Sequence, residues 1–213
     1  MKSIDPFLLP RLGLALLDKL SLLDAPASGA AGRIVLVSSA LRSEGKSFVA
    51  GALSRALVGQ CAGDLVLVDA SVPTFGPTIG AASGAAGGGL GALLATGEWP
   101  AEGLHATDVP GLWRLSRGGL APNQSLFQPS GVRRTLDRLR QRFALSVIDG
   151  GILTECGALV HEADLSLIVT DASRTASHTV RSAMTQARLA PQQVAGVVLN
   201  RRAPGLPRWL GGD

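Results

Sequence analysis

Tyrosine is absent from all 213 residues, and the aromatic content is only 4%. The 20 basic residues exceed the 16 acidic ones by a formal charge of +4, and lysine occurs only at Lys2, Lys19 and Lys46. So mild an excess tolerates an acidic partner or a phospholipid surface. It does not build the dense basic stripe with interleaved aromatics of a dedicated nucleic-acid binder, so no specific nucleic-acid partner is expected. Two cysteines, Cys61 and Cys156, lie far apart without CxxC or Cys/His spacing. That excludes a disulfide framework and a zinc site, and it fits a reduced cytosol. Long apolar runs are missing as well. The stretch Leu12 to Leu17 is too short for a signal core or a membrane span, and Pro10, Arg11, Asp18 and Lys19 interrupt its surroundings. His105, His161 and His178 have no ligand spacing, read as surface residues and support no Ser-His-Asp or Cys-His arrangement.

What is present is an alternation of apolar strands with amphipathic helices. Leucines at helical spacing over residues 7–23 predict a leading helix that packs on the outside of the domain or on a partner, and a small-residue linker runs from Ala25 to Gly32. Strands are expected at Ile34–Val37, Leu65–Val68, Leu112–Leu115, Leu145–Ile148, Leu165–Val169 and Val197–Leu199. Helices are expected from Ser47, with Phe48, Val49, Ala52, Leu53, Ala56 and Leu57 on one face and Gly59 as the stop, and from a Ser130 cap, with Val132, Leu136, Leu139 and Phe143 on one face. Further helical segments fall near 155–163 and 177–189. The other face of the helix after Ser130 carries Arg133, Arg134, Arg138, Arg140 and Arg142, which suits a solvated face, a membrane, an acidic protein or a neighbouring subunit. Residues 71–91, crowded with glycine, alanine and proline, read as a loop near the site or as a low-complexity insertion. The pattern predicts an α/β fold, a doubly wound, mainly parallel sheet with helices on both faces. It divides into residues 1–32 as helix and linker, 33–202 as one nucleotide-binding domain, and 203–213 as a short tail.

The chemistry concentrates in RIVLVSSALRSEGKSFVAGALSRAL, residues 33–57. A strand, a tight loop ending in Gly45-Lys46-Ser47 and a helix make a phosphate cradle, because the helix N-terminus exposes unpaired N–H groups. Ser43, Glu44, Gly45, Lys46, Ser47 and Phe48 form the expected cofactor-binding stretch. Lys46 is expected to reach the outer phosphates of ATP or GTP, and Ser47 to ligate Mg2+. The first position of the GxxxxGKS pattern is Ala40 rather than glycine. Asp149 ends the apolar strand LSVID and Asp69 ends LVLVD; with Lys46 they are the expected catalytic positions, and with Ser47 the metal positions. The alternative role for either aspartate is to cap the turn that follows its strand. Asn200 and Arg201, closing VVLNRR, are placed against the base, with a plain strand-ending asparagine as the other reading.

These segments resemble the cytoplasmic P-loop domains of bacterial tyrosine kinases, the capsule and exopolysaccharide autokinases of the deviant-Walker ATPase superfamily. VSSALRSEGKSFVAGALSRAL is similar to the family's Walker A, LVLVDASVP to its Walker A', FALSVIDGG to its Walker B and VAGVVLNRR to its final strand. The likeness covers residues 33–202. It implies ATP and Mg2+ as cofactors, Lys46, Ser47, Asp69 and Asp149 as the nucleotide, metal and catalytic positions, and an inner-membrane polysaccharide copolymerase or chain-length protein as partner. Four departures stand out. Ser71 occupies the place of a second Walker A' acid, and Gly150-Gly151 follow Walker B instead of threonine and prolines. No Glu-x-x-Arg-x-x-Arg pattern lies near the N-terminus, and no tyrosine is present to accept phosphate. The signature lysine of the partitioning ATPases is replaced by Leu41.

The resemblance implies a degenerate relative, an ATP-binding cytoplasmic component or regulator of exopolysaccharide or capsule biosynthesis and export. It would be peripheral at the inner membrane through its partner, with a homo-oligomer allowed. The alternatives are an active protein kinase that phosphorylates a partner and a positioning ATPase.

Overall fold

In the computed structural model, which describes residues 8–21, 32–71, 88–119 and 128–201, seven strands form one sheet. They are β1 (Arg33–Ser39), β2 (Leu65–Asp69), β3 (Leu104–Ala106), β4 (Leu112–Leu115), β5 (Leu145–Ile152), β6 (Leu165–Asp171) and β7 (Val194–Asn200), in the spatial order β3-β4-β2-β5-β1-β6-β7. All neighbours pair in parallel except β3 and β4. β1, β5 and β6 are buried almost end to end, because helices cover both faces of the sheet and leave little room for polar alternation. The doubly wound, mainly parallel architecture read from the sequence is therefore what the chain adopts.

The described residues also form six α-helices, α1 (Leu8–Ser21), α2 (Lys46–Leu57), α3 (Gly89–Thr96), α4 (Pro129–Arg142), α5 (Leu159–Glu162) and α6 (Ser177–Gln186). One core layer joins Val35, Val37, Val147, Leu167 and Val169 of the strands to Val49, Leu53 and Leu57 of α2 and to Leu16 and Leu20 of α1. The other joins Ile34, Leu36, Val66, Val68, Ile148 and Ile168 to α3, α4, α5 and α6. Each fully buried leucine or valine removes enough apolar surface from water to contribute about 1.5–3 kcal/mol. Of the two sites expected for the leading helix, the domain's own surface is the one used. α1 lies on α2, where a side chain at Gly13 would meet Leu57 Cδ2 at 3.0 Å. Lys19 Nζ also donates to the carbonyls of Val194 and Ala195 at 3.1 and 3.0 Å, tying α1 to β7. Among the described residues no helix is long and apolar enough to cross a membrane.

Several local expectations are corrected. α4 begins at Pro129 after Gln128, so Ser130 lies inside the first turn and caps nothing; proline suits that position because its missing N–H would have had no partner. α2 ends at Leu57, before Gly59. The expected helix at 155–163 is a 3-10 turn, Leu153–Glu155, followed by the single-turn α5, and α6 stops at Gln186 before Arg188 turns left-handed at φ 51. Strand β3, only LHA with two exposed residues, was not expected. Most of the glycine-rich segment, residues 72–87, and the tail beyond 201 lie outside the described residues.

The arginine face of α4 is largely solvated, with Arg133, Arg134, Arg138 and Arg142 exposed, and several of its side chains are also anchored. Arg133 donates to Glu162 at 2.7 and 3.1 Å and Arg138 to the Gly97 carbonyl at 3.2 Å. Arg142 stacks 4.7 Å over Trp99, and Arg140, 9% exposed, pairs with Asp164 at 3.1 Å. Cys61 and Cys156 are both free, and the three histidines are exposed as expected.

Candidate functional site

The phosphate loop runs from Ala40 to Gly45 between β1 and α2. Ser43 at φ 62 and Gly45 at φ 95 are both left-handed, a geometry that turns successive N–H groups toward one concave side. Gly45 is also the N-cap of α2, with no side-chain cap, so the first amides of the helix have no partner from a capping side chain. A side chain at Gly45 would collide with Asn200 Nδ2 at 2.2 Å.

Glu44 closes the back of the loop. Fully buried, it accepts from Leu41 N at 2.8 Å on Oε2, and from Thr175 Oγ1, Asp171 N and Thr170 Oγ1 at 2.6, 3.1 and 3.3 Å on Oε1. Its carbonyl accepts from Asn200 Nδ2 at 2.8 Å. Asn200 thus holds the loop from behind, and Arg201 pairs with Asp171 at 2.9 Å. Phe48, expected on the buried stripe of α2, is 58% exposed; the buried residues are Val49, Ala50, Leu53, Ser54 and Leu57. Phe48 therefore sits on the outer flank of the first turn.

The two strand-ending carboxylates meet. Asp69 and Asp149 are register partners on β2 and β5, and Asp149 is also level with Val37 of β1, just before the loop. Two positions before them, Leu67 and Val147 are likewise partners and pack in the layer that contains α2. Period-2 alternation puts both aspartates on that same face, toward the helix that begins at Lys46. Their surroundings then differ. Asp69 Oδ1 accepts from Ser71 N at 3.1 Å and Ser71 Oγ at 2.6 Å, the turn-capping alternative made real. Asp171 makes the same pair of bonds to Ser173, at 3.0 and 2.6 Å. Its carboxyl is held down to about 2, first by the Ser173 hydroxyl and then by Arg201. The tripeptide Asp-Ala-Ser occurs at both strand ends, 69–71 and 171–173. This repeat was the available sequence signal for a turn role at either place.

Asp149 has no such turn. It is 8% exposed, and among the described residues its Oδ1 has no hydrogen-bond partner. Burial pushes its carboxyl up to about 6, helped by the charge of Asp69, while the nearby Ser47 hydroxyl, Lys46 and Arg114 pull it down. Arg114, on β4, was missed by sequence reasoning because nothing local marks it. A buried carboxylate oxygen without a partner is costly, and it fits a cation or a bound group beside it. Mg2+ needs only one or two protein oxygens when phosphates and water supply the rest, and Ser47, Asp149 and Asp69 are hard oxygen donors of that kind. Among the described residues no set of three or more His, Cys, Asp or Glu could hold a metal by itself.

Gly150 and Gly151 have a packing reason. β5 bulges there, since Val37 pairs Asp149 while Ser39 pairs Ile152. A side chain at Gly150 would meet Leu36 Cδ1 at 2.8 Å and Cys156 Sγ at 3.0 Å.

No family model matches the chain. It is similar to the succinoglycan biosynthesis transport protein ExoP of Rhizobium meliloti (strain 1021), 28% identical over 186 residues, which are 84% of this chain and 23% of that relative. The chain therefore spans less than a quarter of the curated protein it matches. In fold it is similar to the kinase domain of VpsO, with a TM-score of 0.67, 23% identity, and 92% of this chain and 96% of that one covered. The kinase domain of the Escherichia coli tyrosine kinase ETK is likewise similar, with a TM-score of 0.64, 16% identity, and coverage of 88% and 74%.

Proposed function

We propose that this chain, a P-loop domain of the bacterial tyrosine kinase-like type found in exopolysaccharide systems, binds Mg·ATP and regulates polysaccharide assembly or export through its nucleotide state. The observation that supports this best is the buried, unpartnered Oδ1 of Asp149, in register with Asp69 and beside Lys46 and Ser47. In this reading residues 43–47 cradle the phosphates, Lys46 reaches the outer ones, and Ser47 with Asp149 takes the metal. Asp69 lends its second oxygen from a turn that Ser71 already fixes. Asn200 acts through the loop rather than on the base, and Phe48 offers an exposed ring beside the bound nucleotide. Magnesium, when bound, neutralises charge on the phosphates.

The partner in this reading is a membrane copolymerase or chain-length protein at the cytoplasmic side of the inner membrane, by analogy with the larger protein that contains the ExoP segment. The unit that switches is residues 33–202 with α1 attached. Occupancy alone suffices, since a ligand shifts a conformational equilibrium by its differential affinity for the two states. The chain offers no tyrosine of its own, so self-phosphorylation on that side chain is not part of the reading. Titration of the whole chain with a fluorescent ATP analogue and Mg2+ tests it. Saturable binding is expected, weakened at least about tenfold by Lys46→Ala through loss of a charge-assisted phosphate contact; equal binding by both proteins overturns the reading.

A further inference from the structure

Glu44 does more than complete a loop. A turn of this length needs no buried carboxylate, and burying one is unfavourable unless both of its oxygens find donors. Here four donors serve them: one oxygen takes Leu41 N of the loop itself, and the other takes Thr170 Oγ1, Asp171 N and Thr175 Oγ1 from the far end of β6 and the turn into α6. Among the described residues no cation pairs with it; the arginines nearby, Arg174 and Arg201, go to Asp171 instead. The Asn200 bond to its carbonyl adds β7. Residue 44 is thus held by the last two strands, while its left-handed neighbours Ser43 and Gly45 shape the concave side of the loop.

We infer that Glu44 is a positioning residue that couples the phosphate loop to the β6–α6 turn, residues 171–176, so that the two segments change shape together. The functional consequence rests on the nucleotide reading above: filling the loop stiffens the turn, and a partner that grips the turn or the start of α6 alters nucleotide affinity by the same factor. Thr175 is the informative contact, because it is far from the loop in sequence, lies outside residues 43–47 and makes the shortest of the bonds to Glu44.

The test uses the whole 15N-labelled chain without nucleotide and compares Thr175→Val, Thr175→Ser and Glu44→Gln with wild type. Thr175→Val keeps the shape and removes the donor. It is expected to speed amide exchange at Leu41 about tenfold, the effect of weakening one hydrogen bond, and to shift the amides of residues 43–47, while core amides such as Leu53 stay unchanged. Thr175→Ser, which keeps the hydroxyl, is expected to behave as wild type, and Glu44→Gln to reproduce the valine effect. Unchanged exchange at Leu41 in Thr175→Val overturns the proposal, as does an equal response in Thr175→Ser. If Glu44→Gln does not fold, the two Thr175 variants decide alone. Titrating the same samples with the ATP analogue separates the two readings. A wild type that does not bind nucleotide refutes the proposed function, while a Leu41 response in that sample still supports the coupling.

Discussion

Replacing Asp149 with asparagine is expected to stabilise the nucleotide-free protein at neutral and alkaline pH while removing its metal-dependent binding. The folded carboxyl sits at about 6 against 3.8 for the free side chain, with burial the main cause. The folded state therefore holds this proton more tightly than the unfolded chain does. Between those two values the unfolded carboxyl has lost its proton and the folded one has not, so stability falls as pH rises. Below about pH 4 both states are protonated and no penalty remains; above about pH 6 the full penalty applies. A difference of roughly two pKa units corresponds to about 3 kcal/mol as an upper bound. Asparagine recovers part of it, about 1–2 kcal/mol, because its amide still has to be buried. For a chain of this size that is a rise in Tm of about 2–8 °C at pH 8, shrinking to nothing near pH 4. Thermal denaturation of both proteins across that range is the assay, repeated with Mg·ATP, which should raise the wild-type Tm and leave the variant unmoved. An asparagine variant that is less stable than wild type at pH 8, or a difference that does not vary with pH, refutes the reasoning.

Three further outcomes follow from other contacts. Gly150→Ala should cost about 1–3 kcal/mol by overpacking against Leu36 and Cys156, read as a lower urea midpoint with an unchanged slope. Arg140→Ala leaves the largely buried Asp164 carboxylate without its cation and should cost about 2–4 kcal/mol, whereas Arg133→Ala, at an exposed pair, should cost under about 1 kcal/mol; equal losses would refute the distinction. Ser71→Ala removes one of two bonds to Asp69 and should cost about 1 kcal/mol in urea denaturation while leaving ATP-analogue affinity within about twofold, since the hydroxyl faces the turn.

The parts of this fold that were legible in the sequence are those written locally. An apolar strand ending in aspartate, a glycine before Lys46 and leucines at helical spacing each carry their own explanation within a few residues. That Asp69 and Asp149 reach the same edge of the sheet also followed, since strands of a parallel sheet deliver their C-terminal residues to one edge; that their strands are direct neighbours did not. What could not be read was anything that depends on partners far away in the chain. Glu44 reads only as part of the cofactor-binding stretch, and its bonds to Thr170 and Thr175 come from residues 126 and 131 positions away; the bond from Asn200 to the loop carbonyl spans a similar distance in sequence. Phe48 fits the apolar period but falls just outside the arc that α2 buries. β3 is three residues of mixed polarity and has no periodicity to detect.

The bond from Lys19 to the first carbonyls of β7 has a practical side. The opening helix and the closing strand are topological neighbours, clasped across the whole length of the chain between them. Trimming the protein at the glycine before β1 would strip Leu16 and Leu20 from α2 and bare two acceptors on an outermost strand, inviting edge-to-edge aggregation. Anyone isolating the catalytic-looking portion should keep that helix, and a circularly permuted chain that splices the two ends directly would test how much of the clasp is needed.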